Sequence, residues 1–247
     1  MRMLTERIEL SYDLAFDSPF HFGTGLRAGL VHRTVRRDAD GYLFVPGATI
    51  KGVLRERCEQ IARLFGLRAA SPHDGRAGLA EFRPNADLVR SLFGSRTQPG
   101  ALFFDDAAMS AAWREFFDHP SPALRAKYRA WQVDTRTQVS LSRLTRTARP
   151  GLLFTSEYGP TGAQFEGRVY GSISGLALED GSTTFGLVLL LAGMLAIERL
   201  GGNRSAGLGR CRLQITSLRR NGMDEEVATW VERLGELELH DLFAEET

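Results

Sequence analysis

Between Gly201 and Arg212 the chain reads GGNRSAGLGRCR, with four glycines and three arginines. Glycines at this density allow positive φ and close backbone approach. Arg204, Arg210 and Arg212 could then meet phosphate oxygens through planar, bidentate guanidinium groups. The order of elements narrows the chemistry. A dinucleotide fingerprint runs strand, glycines, helix; here an apolar helix-like run precedes the glycines and an alternating run follows. A Walker loop needs Gly-Lys-Ser/Thr, which is missing. Two readings stay open: a loop that grips a polyanion backbone, and a helix cap with a tight turn and solvated arginines.

Two further stretches carry reactive side chains. FHFGTGLRAGLVHRTVRRD, residues 20–38, holds His21 and His32. A pair of histidines can cut RNA through its own 2′-hydroxyl, but nothing in the spacing brings these two together, and a lone histidine is more often structural. In residues 136–160, Arg143, Arg146 and Arg149 recur every three positions among small polar residues. That suits either a basic arm for nucleic acid or a solvated loop. No carboxylate cluster and no Cys/His set has metal-ligand spacing. No intrinsic metal or cofactor is expected.

The elements that position these residues follow from periodicity. Ile8, Leu10, Tyr12, Leu14 and Phe16 alternate with mostly polar residues, which predicts a half-buried strand. Residues 31–45 fit a short hairpin turning at Asp40-Gly41. Ile50, Val53, Leu54, Ile61, Leu64 and Phe65 have helical spacing, with Pro46 and Thr49 suited to the start and Gly66 to the stop. Lys51 and Arg55, four apart, share a face near that start, where free N–H groups and the helix dipole favour anions; a solvated helix face is the plainer alternative. Residues 69–100 read as an insertion with a helical piece near 86–93. Residues 102–109 read as a strand, 120–162 as a long excursion, 163–176 as a strand, 183–200 as a helix and 208–218 as a final strand. The order strand, helix, strand, strand, helix, strand predicts an α+β fold: a ferredoxin-like (RRM-like) βαββαβ core with helices on one face. The stacking aromatics of the RNA-recognition module are not evident.

The whole chain of 247 residues, 43% hydrophobic and 25% charged, suffices for one large or two small domains, and its net charge is +1. That near-neutral total is unevenly spread. Residues 199–220 hold six arginines and no acid, whereas from Asp224 onward there are nine acids against Arg233. Such asymmetry implies a basic binding face with an acidic surface elsewhere. Lys51 and Lys127 are the only lysines. Cys58 and Cys211 lack metal-ligand spacing, no signal-peptide pattern opens the chain, and the apolar run 185–197 is too short to span a bilayer. A reduced cytoplasmic setting without membrane contact is expected. The acidic stretch around Trp230, Val231 and Leu234 suggests a helix that docks on a neighbour.

Taken together, SPFHFGTG, RRDADGYLFVPGATIKGVLR, LFGSRTQPGALFFDDAAM, SRLTRTARPGLLFTSEYGPTGAQFEG and GGNRSAGLGR resemble, in order, the RAMP superfamily of CRISPR-associated proteins. The resemblance is strongest to the backbone subunits of type III effector complexes. It implies a single RAMP domain over 1–247, with core segments 6–66, 101–110 and 163–219, insertions 67–100 and 120–162, and an acidic segment 223–247. It implies a guide-RNA-holding subunit that pairs guide with target RNA in an antiviral ribonucleoprotein. Its partners would be guide RNA, target RNA and other effector subunits, including copies or paralogues of itself. The implied contacts to RNA are His21, Arg27, Arg33, Thr49, Lys51, Arg55, Gly201, Gly202, Arg204, Gly207, Gly209 and Arg210, with Arg143, Arg146 and Arg149 on a thumb-like arm within 130–160.

Two departures from the family pattern bear on chemistry. Cleaving members carry an aspartate in the loop before the first helix and cut with divalent metal; here His32 stands in its place, with Asp38 and Asp40 further along. An imidazole does not replace a carboxylate as a hard-metal ligand, so a binding, non-cleaving subunit is favoured, and a magnesium ion belongs only to the cleaving alternative. That alternative is an endoribonuclease with His32 as catalytic base; a protein-only assembly scaffold is a third reading. Ala48 and Thr49 replace the family's serine pair, and Thr49 alone keeps a hydroxyl.

Overall fold

β1 (Met3–Phe16) alternates as its sequence requires: Ile8, Leu10, Tyr12, Leu14 and Phe16 are buried, and Glu9, Ser11 and Asp13 lie on the opposite side. The computed structural model describes residues 3–66, 69, 88–178 and 180–236. The chain continues through β2 (Phe44–Val45), α1 (Gly47–Leu64), α2 (Leu88–Phe93), β3 (Leu102–Phe104), β4 (Ala107–Met109), α3 (Ala111–Phe116) and α4 (Pro122–Ala130). Then come β5 (Asp134–Leu141), β6 (Ala148–Tyr158), β7 (Gln164–Leu176), α5 (Phe185–Leu195), β8 (Cys211–Arg220), β9 (Met223–Glu225) and α6 (Val227–Glu236).

The result is α+β. A seven-stranded sheet runs in the order β2-β4-β7-β1-β8-β9, with β3 also on β7, and every pairing is antiparallel. α1 and α5 cover the inward face and share one core with it. They approach closely at Gly193, where an added Cβ would sit 2.5 Å from Cys58 Sγ. Both thiols are buried and free. Burial, with Asp17 adding to it, pushes Cys211 up to about 12, so it is an inert core residue.

Several sequence expectations are corrected. Residues 102–109 are two strands, because Asp105 and Asp106 interrupt them: Asp106 turns its carboxylate to the Gly47 N–H at the start of α1, 2.7 Å away. The helix expected over 183–200 spans Phe185–Leu195, capped by the Thr184 hydroxyl on the Leu187 N–H. Residues 196–200 leave the helix so that Arg199 can pair with Arg210. The last long strand is Cys211–Arg220 and starts later than expected. The excursion 120–162 is structured: it holds α4 and a two-stranded ribbon, β5–β6. The expected hairpin over 31–45 reduces to a tight turn in which the Gly41 N–H meets the Asp38 carbonyl and Arg37 pairs with Leu43. Residues 67–68 and 70–87 of the expected insertion, including the start of the helical piece near 86–93, lie outside the described residues, as does the acidic segment beyond 236. In α6, Trp230 is buried in this chain's own core, under Arg220 at 5.6 Å. It is therefore not the exposed anchor for a neighbour that the sequence suggested.

An ion pair unseen in the sequence ties the C-terminal elements to β1. Glu6, only 2% exposed, accepts from the Thr183 hydroxyl, the Thr184 N–H and Arg220. Burial pushes its carboxyl up, but the hydrogen bonds from Thr184, Arg220 and Thr183 outweigh burial and hold it below the ordinary value. A lowered folded-state value means the group stabilises fully above the ordinary carboxylate range and loses that contribution as pH falls through the lowered value. Arg220→Ala would leave the carboxylate buried and short of its charge partner. It should cost about 3 kcal/mol or more, read as a lower urea midpoint at pH 7 with an unchanged slope.

Candidate nucleic-acid interface

The glycine-rich loop is seated on the segment that follows β1. The Gly202 N–H bonds the His21 carbonyl at 2.9 Å and the Gly209 N–H bonds the Pro19 carbonyl at 2.8 Å. Leu200 N–H closes the loop on the Gly209 carbonyl at 2.8 Å. Gly201 and Gly209 have φ of +94° and +71°, and side chains there would strike the His21 and Leu200 carbonyls. Glycine is required here by two causes at once, dihedral and close approach.

This seating creates a groove of about 300 Å³ lined by His21, Phe22, Gly23, Arg36, Pro46, Ala48, Thr49, Gly201 and Gly202. Four sequence segments meet in it, and no carboxylate lines it. Thr49 and Ala48 belong to the first turn of α1, which has no acidic residue. The end of α1 is favourable for anions, although Asp106 already satisfies the Gly47 N–H. Of the expected contact residues, the groove gathers His21, Thr49, Gly201 and Gly202. Arg204 stands beside it and ties the loop to α1 through Glu56 at 3.3 Å. The side chains of Lys51 and Arg210 make no ion pair or hydrogen bond among the described residues, and the Arg210 N–H donates to the Ser18 hydroxyl at 2.8 Å. Gly207 has φ +88° in open space at the loop's outer edge.

Arg55 is not part of this face. Its guanidinium bonds Glu59 at 2.8 Å and the Gly94 carbonyl at 2.7 Å, and it is mostly buried between α1 and the end of α2. The shared helical face inferred from spacing is overridden by these tertiary partners. Phe22, Gly23 and Arg36 line the groove without having been expected as contacts, and Pro46, expected as the start of α1, lines it too. The family-like run around SPFHFGTG was the available signal for the first two.

The two histidines attach to β6, two positions apart. His21 Nδ1 donates to the Glu157 carbonyl at 2.8 Å, since a carbonyl can only accept. That leaves Nε2 with the free lone pair. His32 is the reverse: its Nδ1 accepts from the Thr155 N–H at 3.2 Å, so in the neutral ring Nε2 carries the proton. His21, and not His32, is the histidine poised to accept a proton at Nε2. Asp38 is engaged by the Tyr42 N–H and Arg114. No group of three Asp, Glu, His or Cys side chains suited to a metal ion exists among the described residues. The donor set around His32 therefore does not fit a hard divalent ion.

β6 also roots the ribbon. Its base residues Ser156 and Tyr158 are buried, held by the Phe20–Gly159 and Arg33–Ser156 bridges and by the Val35 N–H on Glu157 at 2.9 Å. Arg33 lies over the Phe154 ring at 5.2 Å. The outer ribbon is exposed on both sides and ends in a turn where Arg146 takes φ 55°. Arg143, Arg146 and Arg149 are at that far end, and Arg27 is in the exposed stretch 25–30; none of the four is in the groove lining. On the helix-free face of the sheet, Phe103 and Tyr170 stack at 5.6 Å beneath Arg168. The sequence hid this aromatic pair because its members come from different strands. Glu9 and Asp105 both pair with Arg168, which makes that patch unfavourable to phosphate.

No curated protein matches the sequence. Chains of similar fold include one from the Type III-B Cmr-beta bound to cognate target RNA, solved by cryo-EM, with a TM-score of 0.56 and 12% identity over 84% of this chain and 96% of that one. Another, from Type III-B Cmr-beta in the apo state, has a TM-score of 0.56 and 12% identity over 84% and 97%. At such identity the likeness is one of fold. No described helix is long and apolar enough to cross a membrane. The sequence model of the RAMP superfamily matches residues 13–212, from within β1 through the glycine loop to the start of β8. The loop and the helix start it faces both fall inside that match, which covers most of the sequence, and the chain therefore belongs to the RAMP superfamily.

Proposed function

We propose that this chain is a guide-RNA-holding backbone subunit of a type III-like CRISPR interference complex, and that it binds RNA without cutting it. The observation that carries the reading is the groove: the glycine loop, the N-terminal turn of α1 and His21 meet there, with Arg36 and no carboxylate in the lining, and Lys51 and Arg204 each follow a lining residue by two positions in the chain. The similar fold of Cmr-beta chains and the superfamily match support it. We read β4-β7-β1-β8 with α1 and α5 as the ferredoxin-like core, and the whole chain as one RAMP domain. The β5–β6 ribbon is then the thumb-like arm, with Arg143, Arg146 and Arg149 toward target RNA, and copies or paralogues of the chain are its neighbours. Backbone gripping of this kind is insensitive to base sequence.

The test is purification of the chain with and without a co-expressed guide RNA. A raised 260/280 absorbance ratio and a nucleotide species released by protease are expected; nucleic-acid-free protein that ignores added guide would sink the reading and favour a protein-only scaffold. The non-cleaving reading is supported by His32, whose Nδ1 lone pair is engaged by the Thr155 N–H. Labelled target RNA should stay intact in the assembled complex, with magnesium or with EDTA. Wild type, His32→Ala and His21→Ala should give the same full-length band. Cutting that disappears with His32→Ala would restore the endoribonuclease alternative.

A further inference from the structure

We propose a second RNA contact, a stacking platform for unpaired nucleotides on α4 at the root of the ribbon. It rests on the reading of the chain as an RNA-binding subunit but uses none of the groove residues. α4 buries none of its side chains. Tyr128 lies between two other rings: His119 at 4.8 Å and Trp131 at 4.6 Å, with interplanar angles near 40°. Trp131, at the end of this ladder, is 55% exposed. Lys127 Nζ sits 6.0 Å from the Trp131 ring centre and has no carboxylate partner among the described residues.

The charge around the ladder favours an anion. Residues 122–130 contain Arg125, Lys127 and Arg129 and no acid. One carboxylate, Asp118, serves both arginines, at 3.3 and 3.7 Å, so a net positive charge remains. The platform is also held rigidly. Arg129 bonds the Asp40 carbonyl and lies 4.5 Å over the Tyr42 ring. Gln132, fully buried, accepts from the Leu43 N–H and donates to the Gly41 carbonyl. The exposed Trp131 and the half-buried Tyr128 are therefore fixed beside the first residues of β5.

Exposed aromatic faces with adjacent cations suit single-stranded nucleic acid, whose bases offer π-faces that a duplex hides. A protein partner that buried the ladder would have to desolvate Lys127 as well, which has no carboxylate partner among the described residues, and that is unfavourable without a matching acid. The occupant is therefore single-stranded RNA, with a base on Trp131 and a phosphate near Lys127.

The probe is a 12-nucleotide uridine RNA carrying 4-thiouridine, followed by anisotropy and photocrosslinking. Wild type, Trp131→Ala, Trp131→Phe and the groove variant Lys51→Glu/Arg210→Glu are compared, with thermal melts to confirm folding. Trp131→Ala should bind about 5- to 100-fold more weakly, Trp131→Phe close to wild type, and crosslinks should reach the peptide holding Tyr128 and Trp131. Duplex RNA should not compete for the Trp131-dependent part. Wild-type affinity in a folded Trp131→Ala, with no crosslink to that peptide, overturns the platform even if the groove variant binds poorly. The opposite pattern, normal binding by the groove variant and loss in Trp131→Ala, would overturn the groove assignment and leave the platform standing. A change in self-association or subunit binding with unaltered RNA affinity would mark the surface as a protein interface and also overturn the proposal.

Discussion

Gly209→Ala is expected to dislodge the glycine loop, while Gly207→Ala, two residues away, is expected to leave it seated. The pair separates two causes that usually act together. Both residues have positive φ, +71° and +88°, and an alanine in that region costs about 1 kcal/mol from backbone strain alone. At Gly207 nothing lies within 4 Å of the added Cβ, so strain is the whole cost. At Gly209 the Cβ would stand 1.9 Å from the Leu200 carbonyl oxygen. No rotation of a side chain relieves a clash with backbone. The loop must shift, and the bonds from Leu200 to Gly209 and from Gly209 to Pro19 go with it. Adding about 1 kcal/mol for each lost bond gives roughly 3 kcal/mol or more for Gly209→Ala. Urea unfolding should show the difference directly. Because Gly201 and Gly202 line the groove, guide-RNA retention should drop at least about tenfold in Gly209→Ala, on the scale of lost positioned phosphate contacts, and stay near wild type in Gly207→Ala. Equal losses in the two variants would mean that the seat on Pro19 and His21 does not shape the binding face.

The other large effect should come from charge. Lys51→Glu with Arg210→Glu replaces with anions two cations whose side chains have no partner among the described residues. If each meets one phosphate, guide affinity should fall on the order of 100-fold near 0.1 M salt, and the slope of log affinity against log salt should flatten by about 1.4. Anisotropy titrations at several salt concentrations measure both quantities. Arg204 is the poorer choice for reversal, because it already pairs with Glu56; a glutamate there would face that carboxylate and disturb the loop's link to α1. Arg55→Glu is the useful contrast. It should weaken folding, since Arg55 bridges Glu59 and Gly94 inside the structure, and should change the salt slope little. An unchanged slope in the Lys51/Arg210 variant would remove those residues from the phosphate contacts.

Much of the scaffold was legible because its signals are local. The period-two alternation from Ile8 to Phe16 specifies one buried face of β1 whatever lies beside it. Pro46 and Gly66 delimit α1 through their own dihedral limits, Gly66 taking φ +71° just past the helix. The position of the glycines between an apolar helix and an alternating strand was enough to set aside a nucleotide cradle. The family resemblance was likewise carried by short motifs in order, and the superfamily match over 13–212 agrees with it.

The sequence by itself determined the α+β class and the main strands and helices, because each depends on neighbours a few residues apart. Only the tertiary structure decided which charged and polar groups are free. Arg55 and Lys51 share a helix face by spacing, yet Gly94 takes one and nothing described takes the other. His21 and His32 read alike in the chain, but bonds to Glu157 and Thr155 give them opposite tautomers. Glu6 has the composition of a surface residue and is buried because Arg220, Thr183 and Thr184 reach it from the other end of the sequence. The groove itself joins segments from His21 to Gly202. Pairings over such separations leave no periodic trace in the sequence, since they arise from how the sheet and helices pack and not from any local preference of the residues involved.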